Sequence, residues 1–358
     1  MNDAGYRISE GVSLTGRNTF RVEAKAELLV DVHDPLALFT LFSKPRASFT
    51  PLLVLGEGSN LLLVGDVPGL TLCLTRKGIA LVEDKEDSAL IAVDAGVHWN
   101  DFVHWALGRG LCGLENLALI PGTAGAAPIQ NIGAYGTEVG EFIESVQAFD
   151  REILRLREFK HRDCRFAYRD SVFKRNPEQH ILTEVRFRLP KQRTLNTAYP
   201  GVDEALAAMG VEGTPTHRQV AEAISRLRAR KLPNPAVLGN AGSFFKNPIV
   251  GAEVADTLKA AHPGLPVFSG DSTTTRKLSA AWLIEQTGWK GHRKGDAGVA
   301  AQHALVLVNH GHATGAELLT LASRIAGSVQ ARFGVLLEPE PRIIGGHFAP
   351  RLPLEHDA

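Results

Sequence analysis

The sequence predicts a chain of mixed α and β structure in two or three domains, on three observations. Its 358 residues exceed what one hydrophobic core usually serves. Short apolar runs of strand length alternate with helical patterns early on, give way to four strand-like runs, and are followed by capped helices. The glycine-rich turn Gly56-Glu57-Gly58-Ser59-Asn60 follows an apolar strand but precedes further strand residues, where a doubly wound nucleotide-binding sheet needs a helix.

The elements are justified in chain order. Asp34-Pro35 opens a helix, with Asp as N-cap and Pro at the first helical position, ahead of Leu36, Leu38, Phe39, Leu41 and Phe42. Residues 51–55 read as a buried strand, and residues 61–64, 70–74 and 90–93 read as strands. Residues 98–107 read as a short helix stopped by Gly108 and Gly110. Residues 121–140 are rich in Gly, Ala and Pro and predict an irregular, tightly turned segment. Strand-like runs follow at 146–149, 153–159, 181–189 and, weakly, 194–199, the last inside a loop region over 192–213 with one helical turn. Thr216 and Gln219 form a capping box for a helix that carries Val220, Ile224 and Leu227 and ends before Pro233. Pro233-Asn234-Pro235 marks a domain boundary. Helices are predicted over 278–286 and 314–333, the second opened by Thr314 and Glu317, with strands at 304–308 and 335–340. The tail after Gly346 reads as loosely attached.

Composition excludes several classes. Lys plus Arg equals Asp plus Glu at 39 each, which argues against nucleic-acid binding through a bulk basic surface. Three cysteines, Cys73, Cys112 and Cys164, without a Cys-x-x-Cys spacing predict no disulfide framework and no structural zinc, and they fit a reducing compartment. Residues 1–10 lack the basic start and apolar core of a secretory signal, and no apolar stretch is long enough to span a bilayer.

Four motifs carry chemistry. In Gly56-Glu57-Gly58-Ser59-Asn60, glycines let backbone amides approach phosphate oxygens, while Ser59 and Asn60 add side-chain hydrogen bonds. No Gly-Lys-Ser/Thr follows, and Leu61 stands where a dinucleotide fingerprint has its third glycine, so a plain tight turn and a phosphate nest both fit. The run from Pro121-Gly122 through Gln130, Asn131, Gly133 and Ala134 has small residues that admit a flat ring and two amides for ring heteroatoms. Tyr168-Arg169-Asp170-Ser171 offers a cation, the Gly239–Pro248 stretch offers Ser243, and Leu337-Glu338-Pro339-Glu340-Pro341-Arg342 offers a carboxylic acid. Strand alternation would place Glu338 and Glu340 on one face, so both stand as candidates. A cation, a hydroxyl and an acid together suit stabilisation and protonation of an enolate.

These motifs, with Gly113–Gly122, Phe166–Lys174 and Lys231-Leu232-Pro233, make the chain resemble the UDP-N-acetylenolpyruvoylglucosamine reductases, type I subclass, over about residues 15–346. The resemblance implies an α+β fold: a vanillyl-alcohol-oxidase (PCMH)-type FAD-binding fold of two subdomains, at residues 1–75 (with the tail 344–358) and 76–232, plus a C-terminal α+β substrate-binding domain at 233–343. It implies non-covalent FAD, with the diphosphate at Gly56, Glu57, Gly58, Ser59 and Asn60, and the flavin lined by Pro121, Gly122, Gln130, Asn131, Gly133 and Ala134. It implies NADPH as hydride donor and UDP-N-acetylglucosamine enolpyruvate as substrate, in a cytoplasmic monomer of peptidoglycan precursor synthesis. Arg169, Ser243 and Glu340 are the implied catalytic residues, with Glu340 selected over Glu338. Ser243 is the implied proton donor to C2 after hydride reaches C3. Tyr199, Lys231 and Asn247 are the implied substrate contacts. No metal is implied. Pro341, Ala124 and His303 depart from the family pattern, which more commonly has Val, Val and Gln there.

Overall fold

The computed structural model describes residues 5–44 and 51–351. The first residues of the N-terminal segment and residues 352–358 of the tail, both read above, lie outside the described residues. The chain divides into two compact units: residues 1–12, 26–57 and 68–230 in the first, and residues 13–25, 58–67 and 231–358 in the second.

In the first unit a four-stranded sheet runs in the order Tyr6–Ser13, Lys25–Val32, Val67–Leu74, Leu52–Val54, the last two parallel. The helix Ala37–Phe42 covers it, burying Leu38, Leu41 and Phe42 against Val30, Leu70 and Leu72. The helix predicted to open at Asp34 and Pro35 starts two residues later, at Ala37 with Leu36 as N-cap; Asp34 forms an Asx turn ahead of it, its Oδ1 accepting from the Leu36 amide at 3.0 Å. A five-stranded sheet follows in the order Arg155–Lys160, Ile143–Asp150, His180–Pro190, Ser88–Asp94, Ile79–Asp84, antiparallel throughout. The helices Trp99–Gly108 and His217–Lys231 supply Phe102, Val103, Val220, Ile224 and Leu227 to the core of this sheet. The run predicted as a strand from 153 begins at Arg155, because residues 151–154 form the turn out of the preceding strand. Residues 194–199, predicted as a weak strand, have no strand structure. The Asn196 carbonyl accepts from Asn116 Nδ2 (2.8 Å) and its Nδ2 donates to the Gly136 carbonyl (3.1 Å), so this stretch is bonded as a loop. The single helical turn predicted after it is the two-turn helix Val202–Ala208.

In the second unit two small antiparallel sheets form, ordered Ile249–Gly251, Thr275–Leu278, Val267–Ser269 and Arg293–Lys294, Ala297–Val299, Leu307–Asn309. The helix Gly315–Phe333 carries the predicted Thr314/Glu317 capping box. Its first residue must be glycine, since a Cβ there would lie 1.7 Å from the Leu63 carbonyl oxygen. The helix predicted from 278 starts at Ala280, with the Ser279 hydroxyl accepting from the Trp282 amide, and Leu278 ends a strand instead. Residues 335–340, predicted as a strand, make one isolated bridge, Phe245 to Pro339; the regular strand is Arg342–Ile344, parallel to Leu61–Leu63. Pro339 and Pro341 each lack an N–H, so neither donates to a neighbouring strand, and the pairing there is limited to the bonds of Glu338 and Glu340. The tail is held at its near end, where the Arg351 amide donates to the Ser323 carbonyl (2.9 Å) and Phe348 meets Phe245 edge to face.

Candidate active site

In the first unit, the acidic residue of the glycine turn is held by a backbone amide and an imidazole. Glu57 Oε2 accepts from the Gly122 amide at 2.7 Å, and Oε1 pairs with His98 Nδ1. Gly56 packs on Thr123, whose Oγ1 would lie 3.0 Å from an added Cβ. A carboxylate engaged by an amide and an imidazole does not oppose a diphosphate as an open one would, so the turn fits FAD. The segment after Gly122 is irregular, as predicted, with short strands Gly133–Ala134 and Thr137–Glu138 and then a 3₁₀ turn, Val139–Phe142. Asn131 is buried, in the left-handed region at φ 46°. Its Nδ2 donates to Glu138 Oε2 (2.7 Å) and the Ala167 carbonyl (3.1 Å), and its Oδ1 accepts from the Gly140 amide (2.9 Å). Asn131 therefore fixes the shape of this segment with its side chain. Pro121, Gln130, Gly133 and Ala134 lie along the same segment.

Arg169 stands in a two-residue turn closed by reciprocal backbone bonds between Ala167 and Asp170, at φ 54°. Its Nη2 donates to the Gly133 carbonyl at 2.6 Å, and its own carbonyl accepts from Lys174 Nζ at 2.9 Å. Asp170 binds Arg175 through two bonds of 2.8 and 2.6 Å. The buried Ser171 caps the helix Val172–Arg175 and donates to the Ile129 carbonyl (2.6 Å). The Tyr-Arg-Asp-Ser motif is thus a clamp that lays a guanidinium against the Gly133 backbone. Tyr199 is 43% exposed, and its ring meets Tyr135 edge to face at 4.8 Å. Burial pushes the Tyr135 phenol up and the Arg228 guanidinium down; Arg228 feels both Tyr135 and Arg169 while its Nε donates to the Leu119 carbonyl (3.2 Å). Arginine remains charged through such a shift. Arg228, Tyr135 and His98 were not singled out from the sequence. Arg228 sits one helical turn before Lys231, a spacing that could have flagged it.

In the second unit, Ser243 and Glu340 are brought together by pairing between two segments nearly a hundred residues apart. The Phe244 carbonyl accepts from the Glu340 amide (2.8 Å), and the Lys246 amide donates to the Glu338 carbonyl (3.0 Å). Lys246 Nζ also binds Glu338 Oε2 at 3.0 Å, which separates the roles of the two glutamates: Glu338 is exposed and ion-paired to Lys246, while Glu340 is half-buried beside Phe244. The Arg342 amide donates to the Asn60 carbonyl (3.1 Å), so the amides on both sides of Pro341 are bonded and proline removes no donor that this arrangement needs. Asn60 thereby joins the end of the glycine turn to the acid segment. Gly58, at φ 65°, accepts from the Thr19 amide through its carbonyl, and a Cβ there would lie 2.2 Å from the Arg17 carbonyl oxygen; only glycine fits. Asn247 Oδ1 accepts from the Ala280 amide (3.0 Å), fixing that side chain at a helix start. His303 accepts from the Leu305 amide at Nδ1 (3.3 Å); burial first, then Lys231 and Lys290, holds its pKa below the usual imidazole value. Lys231 ends the helix His217–Lys231.

Residues 234–344 match the family model described as UDP-N-acetylenolpyruvoylglucosamine reductase, C-terminal domain, and residues 27–152 match an FAD binding domain. The reductase of Xanthomonas euvesicatoria pv. vesicatoria is 52% identical over 351 residues, covering 97% of this chain and 100% of its own length. That of Xanthomonas campestris pv. campestris is 49% identical over 343 residues, covering 96% and 98%. Among solved structures, UDP-N-acetylenolpyruvylglucosamine reductase from Thermus caldophilus superimposes with a TM-score of 0.66 at 27% identity, covering 95% of this chain and 99% of that one. The expected α+β FAD-binding fold is the fold of this chain. On this sequence identity over nearly the whole of both chains, the protein belongs to the UDP-N-acetylenolpyruvoylglucosamine reductase family and is an FAD-dependent oxidoreductase.

Proposed function

We propose that this enzyme reduces the enolpyruvyl group of UDP-N-acetylglucosamine enolpyruvate to give UDP-N-acetylmuramate, a step of peptidoglycan precursor synthesis in the cytoplasm, with NADPH as the hydride source. The observation that supports the reading is the backbone bond between Phe244 and Glu340, which pairs the segment carrying Ser243 with the segment carrying Glu340 in the second unit. FAD, bound non-covalently, would supply the hydride chemistry between NADPH and C3 of the substrate. FAD-binding parts at residues 1–75 (with 344–358) and 76–232, a substrate part at 233–343 and a monomeric state belong to the same reading.

The chain's own residues handle charge and the proton. Addition of hydride at C3 leaves the electron pair at C2 delocalised into the adjacent carboxylate. A preplaced guanidinium at Arg169 and an acid at Glu340 stabilise that charge without reorganising. Ser243 gives its hydroxyl proton to C2, completing the single bond, and regains a proton from solvent. The Gly133 carbonyl and the left-handed turn preset the Arg169 side chain. Gly56, Glu57, Gly58, Ser59 and Asn60 hold the diphosphate, Pro121, Gly122, Gln130, Asn131, Gly133 and Ala134 line the flavin, and Asn131 does so by shaping the backbone around it. Tyr199, Lys231 and Asn247 hold the nucleotide-sugar portion.

The test is coupled turnover. Flavin-loaded protein oxidises NADPH slowly alone and rapidly with the enolpyruvyl nucleotide, and the product is two hydrogens heavier by mass spectrometry. NADPH oxidation that the nucleotide does not stimulate would remove the substrate assignment.

A further inference from the structure

His98 occupies the N-cap of the helix Trp99–Gly108, where a side chain ordinarily accepts from the first-turn amides. Its ring makes no such bond. It lies between Lys77 and Glu57: Lys77 Nζ is 2.9 Å from Nε2, and Nδ1 pairs with Glu57 Oε1. An ammonium group only donates, so Nε2 accepts, the ring proton sits on Nδ1, and Nδ1 donates to the carboxylate. The other oxygen of that carboxylate holds the Gly122 amide. The backbone repeats the connection, since His98 bridges Thr123, the Trp99 amide donates to the Gly122 carbonyl (2.9 Å) and the Ala124 amide donates to the Val97 carbonyl (2.8 Å). One chain of bonds thus runs Lys77, His98, Glu57, Gly122 within the first unit, and linked charge-assisted bonds of this kind strengthen one another.

We propose that His98 is a positioning residue for FAD: by donating to Glu57 it keeps that carboxylate on the Gly122 amide, sets the turn at Gly56-Glu57 against residues 122–123, and keeps negative charge turned away from the cofactor diphosphate. The inference rests on the reading of this turn as the diphosphate site. Loss of the imidazole releases one carboxylate oxygen, which both loosens the turn and lets a negative charge face two phosphates.

The experiment is FAD titration of the deflavinated protein, followed by quenching of flavin fluorescence, in four variants and at constant salt, with apoprotein thermal midpoints measured beside it. Loss of one hydrogen bond to a charged group predicts about tenfold to a hundredfold weaker FAD binding in His98→Ala. His98→Asn, which keeps a donor at the place of Nδ1, should stay within about threefold of wild type. Glu57→Ala should also bind FAD more weakly, and His98→Ala combined with Glu57→Ala should be no weaker than Glu57→Ala alone, because His98 acts through Glu57. A normal dissociation constant in His98→Ala with a weakened Glu57→Ala overturns the role of His98 and leaves the diphosphate turn standing. Unchanged binding in both single variants overturns the turn reading together with the inference. An equal loss of affinity and thermal midpoint on adding His98→Ala to either background marks a helix-start defect and overturns it too.

Discussion

Arg169 and the Ser243–Glu340 pair are held by opposite means. Arg169 is held largely by its own neighbours: a two-residue turn, a left-handed backbone and the Asp170, Ser171 and Lys174 clamp, together with a bond to the Gly133 carbonyl. Ser243 and Glu340 come from segments far apart in sequence, joined by backbone bonds from Phe244 and Lys246 to Glu340 and Glu338. A cation needs a fixed direction, which a local clamp gives. An acid and a hydroxyl need a fixed separation, which paired backbones give with little reliance on side chains.

The largest expected break of this comparison is Arg169→Lys. Lysine keeps the charge but loses the planar fork that the turn aims, so hydride transfer to substrate should fall about 10²- to 10³-fold, with a smaller loss in flavin reduction by NADPH, read by stopped-flow absorbance. An Arg169→Lys enzyme with normal substrate reduction would mean that charge alone suffices and that the clamp is incidental. Next is Asn131→Ala, which removes three buried bonds and puts alanine at a left-handed position; unfolding in denaturant should show a loss of about 2–4 kcal/mol.

A smaller effect separates the site from the core beneath it. His180 is buried between Phe159 and Phe173, and its Nδ1 lies 3.8 Å from Asp150, beyond hydrogen-bond reach. Burial outweighs the Asp150 charge and holds the folded pKa below the usual imidazole value. The unfolded chain therefore binds the proton more readily, so His180 takes stability away as pH falls below about 6.5 and costs nothing well above it. His180→Leu should flatten that part of the profile of thermal midpoint against pH; an unchanged slope would exclude His180 as its source. The smallest effect is expected at Lys246→Met. Its partner Glu338 is 74% exposed, so the pair contributes about 0–1 kcal/mol, and the backbone bonds keep the Ser243–Glu340 geometry. A larger loss of stability, measured by denaturant midpoint, would show that the ion pair and not the backbone fastens the acid segment.

What the sequence disclosed follows the same division between local and distant order. The capping boxes at Thr314 and Thr216, the strand containing Cys73 and the irregular glycine segment were legible because their causes are neighbouring residues. The strand Lys25–Val32 alternates buried and exposed residues at its start, a period-two signal that is short and gives way to a continuous buried run. Tyr6–Ser13 has no buried position to mark it as a strand. Residues 335–340 have the apolar content of a strand but make a single isolated bridge, with Pro339 inside the run and Pro341 just beyond it. Partners such as Glu57 with Gly122, or Arg228 with Tyr135, carry no local signal, because the fold alone brings them together.

The central claim is that Ser243 delivers the proton to C2. Wild type and Ser243→Ala, each reduced with NADPH and mixed anaerobically with the enolpyruvyl nucleotide sugar in a single turnover, test it directly. The account predicts normal flavin reduction in both proteins, rapid reoxidation in wild type, and reoxidation about 10²- to 10⁴-fold slower in the variant. Equal reoxidation in the two proteins would contradict it.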